Sequence, residues 1–402
     1  MSSSSTRIEQ PAGEPRSIRR RSLDLVSALV PPVESWRHRK ADEYAEQAAK
    51  ARAAGNLAEA EAHYLQALDW QPADAKLRSS LGQLYYQLGR PEEAKLQFKQ
   101  ALNLDYNDQN ALSGLAVILQ EQGNSSDAMY YYRRYLEQNP KDGFALLNLG
   151  AIFHTSGDFE RAIEYYRRAE ECGTNLPLVS RNHALALFSL GRVSEAVPLL
   201  QQAVAAAPQD AELQRLLGQA LEAAGDLEGA MNSYHRAIEL NPQDPNAQAS
   251  LALGLNRQGH VKESLEPMQR AAELSENGGD QKAAAFAWWN LASIQYQLQN
   301  FEASVECCTK ALKLNPDLVA VNFSLGLVLL HLGRSAEARE NYEKAMNSAP
   351  VSDLEMYGIG DLQNAINVRP DLAGAAEILK MLQDKYAAVQ QQYLAQSAKK
   401  QA

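Results

Sequence analysis

Small and large apolar residues alternate in a pattern that repeats along most of the chain. Glycine recurs every 34 residues, at Gly55, Gly89, Gly123, Gly157, Gly191, Gly225 and Gly259. Seven positions before each of these stands another small residue: Ala48, Gly82, Ala116, Gly150, Ala184, Gly218 or Ala252. Five positions after each stands a third: Ala60, Ala94, Ala128, Ala162, Ala196, Ala230 or Ser264. Small side chains at fixed offsets let two helix backbones approach closely, while larger apolar neighbours fill the remaining space. The pattern therefore predicts a hairpin of two helices in every unit.

The residues around each glycine predict where these helices end. Glycine tolerates the left-handed conformation that often terminates a helix, and the Asn or Asp that follows several of the glycines can start the next helix. Proline stops a helix, and it ends the second helix of four units, at Pro72, Pro140, Pro208 and Pro242. Each unit thus has predicted boundaries on both of its helices.

The period and the small-residue positions resemble those of the tetratricopeptide repeat family. The segment LLNLGAIFHTSGDFERAIEYYRRA at 146–169 is close to the family pattern, and the resemblance covers Ala41 to about Ser352. It implies an all-α fold, a right-handed α-solenoid superhelix of about nine hairpins with a C-terminal capping helix. It also implies a concave groove formed by the first helices, where partners of this family usually bind.

The repeat divides the chain into five predicted segments. Residues 1–40 are predicted to be a mobile basic tail, because they contain Ser, Pro and Arg without a sustained apolar period. Seven tandem repeats are predicted over 41–278, an insertion or hinge over 279–284, and two further repeats over 285–352. Residues 353–402 are predicted to hold a degenerate half-repeat, a capping helix from Leu372 to about Gln391, and a short tail.

The insertion GDQKAA at 279–284 shifts the repeat by six residues. Its simplest structure is a longer connection, with the next helix starting early at Asp280. One interpretation is a tolerated loop insertion. The other is a hinge between two groups of repeats, with Trp288 and Trp289 packing at or near the joint.

Composition limits the compartment and the class of protein. The hydrophobic fraction of 45% is enough for a large core, and the net charge is -10. The three cysteines, Cys172, Cys307 and Cys308, allow no disulfide framework or zinc spacing, so a reducing, cytoplasmic location is expected. The apolar stretch after the Arg19–Arg21 run is short and ends at Pro31, unlike a signal peptide. No stretch approaches the ~20 apolar residues of a membrane helix.

No motif of an enzyme, a cofactor site or a metal site is present. The chain lacks a phosphate loop, H-E-x-x-H, G-x-S-x-G, and a G-x-G-x-x-G that follows a strand. No catalytic residue is therefore assigned, and a non-enzymatic protein without cofactor is predicted. Nucleic-acid binding is not expected, because 39 basic residues face 49 acidic ones and no basic stripe lies among the groove aromatics.

The predicted groove mixes polar and aromatic side chains. The second, fifth, sixth, ninth and twelfth residues, counted from the start of each repeat, are expected to face inward. The candidate partner-binding residues at these positions are Tyr86, Asn148, Arg181, Asn182, Phe188, Arg215, Trp289, Asn290 and Tyr296. Phe144, Phe286 and Phe323 are expected to face the groove as well. Spaced Asn side chains can bind the backbone of an extended peptide, and this partial ladder resembles the peptide-binding wall of nucleocytoplasmic sugar-transferase superhelices.

Arg181 and Arg215 stand one repeat apart at the same position. They are expected to lie on neighbouring helices, where they could together hold a carboxylate of a partner. The alternative is a pair of ion pairs with Glu212 or Glu222 inside the chain. The family's carboxylate clamp for chaperone tails has no matching set of positions here.

Tyr135 replaces the alanine that other repeats have at its position. Its ring requires space between neighbouring hairpins, which Gly143 at the start of the next repeat can provide. The alternatives are local repacking and an exposed tyrosine patch that recruits a partner.

Two functions agree with these features. The first is a non-catalytic scaffold that binds an extended peptide or a helix of another protein in the groove. The second is a self-associating protein or an assembly factor for a multiprotein complex, which includes complexes in a membrane. The basic tail favours the second, as does the segment PPVESWRHRKA at 31–41, which resembles the entry to the first repeat in photosystem assembly factors. A regulatory module that works beside an enzyme on another chain is not distinguished from the first function.

Overall fold

The computed structural model describes residues 33–173 and 177–401, with the side chains of 35–173 and 177–391. The predicted tail therefore lies outside the described residues up to position 32. The described ranges form helices and turns without a strand, which confirms the predicted all-α fold. The chain forms two compact units that divide between Thr174 and Asn175.

The first unit consists of four helical hairpins over its described residues. Its helices are α1 (Val33–Ala53), α2 (Leu57–Trp70), α3 (Ala75–Gln87), α4 (Pro91–Leu104), α5 (Gln109–Glu121), α6 (Ser125–Gln138), α7 (Gly143–Thr155) and α8 (Phe159–Glu171). Each helix packs on its neighbours in the sequence, and the first helix α3 also packs on the first helix α5. This is the packing order of an α-solenoid, in which a hairpin contacts only adjacent hairpins.

The second unit contains five hairpins of the same kind, followed by a further helical pair. Its hairpins are α9 (Pro177–Ser189) with α10 (Val193–Ala206), α11 (Ala211–Ala224) with α12 (Leu227–Leu240), α13 (Pro245–Arg257) with α14 (Leu265–Asn277), α15 (Gln281–Gln297) with α16 (Phe301–Leu314), and α17 (Ala320–His331) with α18 (Ser335–Ser348). The final pair consists of α19 (Val351–Asp353), a π-helical turn (Leu354–Gly360), α20 (Asp361–Val368) and α21 (Ala375–Gln401).

Both ends of a typical first helix are determined by local chemistry. Aspartate caps the start, as where Asp74 Oδ1 accepts a hydrogen bond from the Leu77 amide at 3.0 Å and Asp142 Oδ1 accepts one from the Ala145 amide at 2.9 Å. At the other end the seven repeat glycines have positive φ angles, from 72° to 90°. Only glycine adopts this conformation without steric strain, so the turn recurs wherever the glycine does.

The small residue in the middle of the first helix receives an aromatic ring from the second helix. A methyl group on Gly150 would lie 2.5 Å from the ring of Tyr166, and one on Gly218 would lie 2.5 Å from the ring of Tyr234. Both rings are almost fully buried. Glycine is therefore favoured at these two positions because a ring occupies the space that a methyl group would take.

We expect Gly150→Ala to lower the free energy of unfolding by about 1–3 kcal/mol, because the added methyl group overlaps a buried ring that must shift to make room. Urea unfolding monitored by circular dichroism measures this loss. The comparison is the same change in a Tyr166→Leu background, where the overlap is relieved and the loss should shrink. An equal loss in both backgrounds would show that the ring is not the cause.

The insertion at 279–284 lengthens a first helix at its start. Helix α15 has 17 residues whereas α13 has 13, and its N-cap is Asp280, which accepts a hydrogen bond from the Ala283 amide at 3.0 Å. Trp288 is buried in α15, and its Nε1 donates to Glu276 of α14 at 3.0 Å. The hydrophobic core of this region extends from Ala252 to Leu382 across the insertion, all within the second unit.

The segment after α18, which was predicted to hold a degenerate half-repeat and a capping helix, forms a helical pair. Its π-helical turn packs on α17 and α18, and α21 packs on α18 and α20. Phe323 of α17, which was expected to face the groove, is fully buried and its ring contacts Gly358. That expectation was wrong because the π-helical turn covers this part of α17. The predicted capping helix begins at Ala375 and buries Ile378 and Leu382.

The first hairpin begins earlier than the repeat pattern indicates. Helix α1 starts at Val33 instead of Ala41 and has 21 residues. The ring of Trp36 stands edge-on to Trp70 of α2, with 5.0 Å between the ring centroids. Trp36 precedes the first repeat in the sequence, and its aromatic contact packs the additional turns of α1 against α2.

Candidate protein-binding surface

The candidate partner-binding residues all lie on first helices, which are α3 and α7 in the first unit and α9, α11 and α15 in the second. We call the exposed side of these helices the first-helix surface of each unit. That these residues bind a partner stays a prediction. The structure shows which contacts they make within the chain.

In the first unit, Tyr86 and Asn148 both have partners within the chain. The Tyr86 hydroxyl donates a hydrogen bond to Glu121 Oε1 at 2.5 Å, which links α3 to α5. This hydrogen bond, with a smaller contribution from burial, raises the pKa of Tyr86 to about 12. Asn148 interacts with the hydroxyl of buried Tyr132, which in turn donates to Gln120 at 3.0 Å. Both side chains thus connect neighbouring helices besides facing solvent.

In the second unit, Arg181 of α9 and Arg215 of α11 come together as the sequence predicts, around a carboxylate of the chain itself. Arg181 Nη2 lies 2.5 Å from Glu212 Oε1, and Arg215 Nη2 lies 3.8 Å from the same oxygen. Arg215 Nη1 also donates to Gln219 Oε1 at 3.3 Å. The intramolecular ion pair is therefore formed, and Asn182 lies half-buried beside Arg181 on the same helix.

Phe188 borders a groove between α9, α11 and α13 of about 460 Å³, which we call the Phe188 groove. Glu222 and Gln258 also line it. The Glu222 carboxylate accepts hydrogen bonds from Tyr234 at 2.8 Å and from Arg257 at 2.9 Å, so its charge is compensated. Gln258 Nε2 is buried and has no hydrogen-bond partner among the described residues.

Trp289 is half-buried and held by two neighbours. Its Nε1 donates to Ser324 Oγ of α17 at 2.9 Å, and its ring stands edge-on to Tyr357 at 5.4 Å between centroids. Phe286, one turn earlier, is 48% exposed with its ring 6.4 Å from that of Trp289. Asn290 follows Trp289 and is also half-buried. The start of α15 thus presents an aromatic surface.

Tyr296 lines a second groove between α15, α17 and α20 of about 650 Å³, which we call the Tyr296 groove. Its hydroxyl lies 3.0 Å from His331 Nε2, and the His331 ring stacks on Phe301 at 4.7 Å. Burial, followed by the positive charge of Arg369, lowers the pKa of His331. A neutral imidazole can accept the hydrogen bond from the Tyr296 hydroxyl.

The pKa of His331 predicts how this contact responds to pH. Because its folded-state pKa lies below the ordinary value of about 6.5, the unfolded chain binds the proton more tightly, and stability is lost as pH falls below that value. The urea concentration at the midpoint of unfolding should therefore fall further between pH 7.5 and pH 5 for wild type than for His331→Gln. Glutamine keeps a hydrogen-bond acceptor but does not titrate. Equal losses in the two proteins would contradict this account.

Sequence reasoning missed three residues at the Tyr296 groove or beside it. Tyr357 and Asp361 come after Pro350, where the repeat no longer gives a register, so the sequence carried no signal for them. Gln299 occupies the position that glycine has in other repeats, and it adopts a left-handed φ of 62°. Such strain tends to occur at functional sites, and aligning the repeats would have revealed this exception.

Tyr135 repacks within the first unit. Its hydroxyl donates to Asp142 Oδ2 at 2.8 Å, while the other oxygen of Asp142 caps α7. Two exposed tyrosines of the same unit, Tyr106 and Tyr130, instead have their ring centroids 3.4 Å and 5.4 Å from the guanidinium carbon of Arg134. The local-repacking alternative therefore describes Tyr135.

The described part of the chain shows no group of three or more His, Cys, Asp or Glu that could hold a metal ion. Cys307 and Cys308 are buried, and burial raises the pKa of both thiols, to about 11 and about 12. None of the described helices is both long enough and apolar enough to cross a membrane.

Stacked helical hairpins with a ring seated on a small residue define the chain as a helical-repeat protein. Models of the tetratricopeptide repeat match residues 45–102, 80–143, 114–177 and 181–245, and then 285–318 and 307–340. Together they cover more than half of the chain, which belongs to the tetratricopeptide repeat family. Members of this family are generally non-catalytic protein-interaction scaffolds.

No curated protein matches the chain significantly. Among solved structures, it is similar to MamA from Desulfovibrio magneticus RS-1, with 22% identity, a TM-score of 0.41, and 42% of this chain and 96% of that one covered. It is similar to PilF of Pseudomonas aeruginosa, with 20% identity, a TM-score of 0.47, and 53% and 96% covered. It is also similar to YrrB, described as a TPR protein with an unusual peptide-binding site, with 21% identity, a TM-score of 0.39, and 50% and 97% covered.

Proposed function

We propose that the protein is a non-catalytic scaffold that binds an extended peptide or a helix of another protein on the first-helix surface of its second unit. The observation that carries this proposal is the pair of grooves on that surface, of about 460 and 650 Å³. Volumes of this size accommodate side chains or short segments of a ligand. Both grooves open between successive first helices.

The chemistry of the surface supports a peptide ligand. Phe286 and Trp289 offer aromatic contact area, which is enriched at protein interfaces. Neighbouring Arg181 and Arg215 add positive charge. Apolar area combined with a few convergent polar groups is typical of binding surfaces.

The test is affinity purification with mass spectrometry from a native lysate of the source organism. The variant Arg181→Glu/Arg215→Glu/Phe286→Ala alters the surface at three positions. The matched control, Arg236→Glu/Arg270→Glu, makes the same charge change on the second helices α12 and α14. Specific partners should fall at least about tenfold with the first variant and persist with the control. Partners that remain with both variants would place binding elsewhere.

Self-association is a second candidate function, favoured by apolar side chains on the final helical pair. Met356 is 61% exposed and Val368 is 86% exposed. Exposed apolar side chains at the end of a repeat array provide a surface on which another copy can pack. Sedimentation velocity would detect an oligomer that Met356→Glu/Val368→Glu dissociates. A wild-type protein that stays monomeric at high concentration would exclude this function.

A further inference from the structure

Two guanidinium groups share one carboxylate on the first-helix surface of the second unit. Arg181 and Arg215 both approach Oε1 of Glu212, at 2.5 Å and 3.8 Å. Among these three side chains two positive charges face one negative charge, and the adjacent Asp210 carboxylate is engaged as the N-cap of α11, where it accepts from the amides of Glu212 and Leu213. The nearby pair of Arg257 and Glu222 is balanced and does not offset the second positive charge.

The hydrogen-bonding capacity of this cluster is also only partly used. Arg181 Nε is buried and has no hydrogen-bond partner among the described residues. Elsewhere in the chain arginines are better paired: Arg90 binds both Glu61 and Glu93, and Arg334 binds Glu337 through two nitrogens. A guanidinium has five N–H donors, and a buried donor without an acceptor is unfavourable. The Arg181 side chain is 30% exposed, so its guanidinium can present charge and N–H donors to a second carboxylate even though Nε itself is buried.

Arg215 connects this cluster to the Phe188 groove. Its Nη1 donates to Gln219, and Gln219 Nε2 donates to Ser250 Oγ at 3.3 Å. Gln219 and Ser250 both line the Phe188 groove. On α9, Arg181 and Phe188 are seven residues apart, a rise of about 10 Å along the helix. An extended peptide that runs along α9 covers this distance with about three residues.

We infer that the Arg181–Arg215 cluster binds an Asp or Glu side chain of the partner peptide, and that an apolar residue about three positions away enters the Phe188 groove. This inference rests on the proposed function and names the partner's chemistry. Charge complementarity selects an acidic peptide segment, because a second carboxylate balances the cluster and accepts from the unused donors of Arg181. Glu212 holds the two arginines in place and competes weakly with the incoming carboxylate.

The test uses a phage-displayed library of random dodecapeptides selected on the full-length protein. Wild type should enrich peptides with one acidic residue and an apolar residue about three positions away. This preference should disappear with Arg181→Gln/Arg215→Gln and persist with the control Arg236→Gln/Arg270→Gln, which removes the same charge from second helices. Unchanged helical circular dichroism would verify that each variant is folded.

A selected peptide then provides a quantitative test by fluorescence anisotropy. Changing its acidic residue to the amide should weaken binding to wild type by about 10- to 100-fold, the effect of losing charged hydrogen bonds, and should have little effect on binding to the double Arg variant. Glu212→Gln removes the internal competitor and should strengthen binding of the acidic peptide by several-fold. A Glu212→Gln protein that binds no better, together with amide and acid peptides of equal affinity, would overturn the inference.

The outcomes separate the inference from the function on which it rests. Peptides enriched without an acidic residue would overturn the inference and leave the peptide-binding scaffold intact. A library that yields no binding peptide would contradict both, since the surface would then not bind extended peptides.

Discussion

Removal of residues 351–402 is expected to lower the free energy of unfolding of the second unit by roughly 3–6 kcal/mol. The deletion uncovers Phe323 and parts of α18, and it removes the buried Leu354, Leu362 and Leu382. Each large apolar side chain taken from the core to solvent costs about 1.5–3 kcal/mol, so exposure of two already accounts for this range. Repeat arrays require such a cover on the last hairpin.

Urea unfolding and size-exclusion chromatography measure this effect. The shortened protein should unfold at a lower urea concentration and should also aggregate through the exposed face of α17. The control is a protein that lacks only residues 392–402 and therefore keeps Leu382 in place. If both shortened proteins unfold like wild type, the final helical pair does not cover the core of the last hairpin.

Trp288→Ala is expected to destabilise the second unit by about 3–5 kcal/mol, the usual loss for a large aromatic side chain in a core. Trp288 is only 5% exposed, and its Nε1 donates a hydrogen bond to Glu276 of α14. Lys310 Nζ of α16 lies 4.0 Å from the centroid of its ring. One side chain thus connects the helices on both sides of the insertion at 279–284.

Hydrogen exchange in the same variant tests the hinge. If the insertion lengthens a continuous packed helix, exchange should rise in both α14 and α16 when Trp288 is removed. If it acts as a hinge between independent groups of repeats, the increase should stop at α15. Trp289→Ala is the neighbouring control, and its smaller effect is expected because that side chain is only half-buried.

Much of the fold could be predicted because the repeated residues act locally, on a helix end or on one contact between two helices. Gly157 adopts a positive φ angle in the turn that ends a helix, and Gly150 leaves space for the ring of Tyr166. The turn glycine and a small residue at the position of Gly150 recur in seven aligned units, which therefore all indicate the same structure. The final helical pair could not be predicted in the same way, because its sequence has lost the small residues and the period.

The candidate site was less predictable than the fold. The spacing of Arg181 and Arg215 correctly predicts that they lie on neighbouring helices, since equivalent positions in stacked hairpins are adjacent. It does not predict which of Glu212, Glu222 or a partner's carboxylate they bind, because that depends on side-chain rotamers. The burial of Phe323 could not be predicted either, since it depends on a segment that does not follow the repeat.

The sequence by itself determined the all-α repeat and the turns inside its hairpins, because helix caps, glycine turns and small-residue contacts act over a few residues or between adjacent hairpins. Only the tertiary structure decided which groove residues already have partners, as with Tyr86 and Glu121, and where the grooves open. It also placed Gln299 and Tyr357 beside them. These features depend on side chains that meet across a repeat or more, and their contacts are formed only when the hairpins stack.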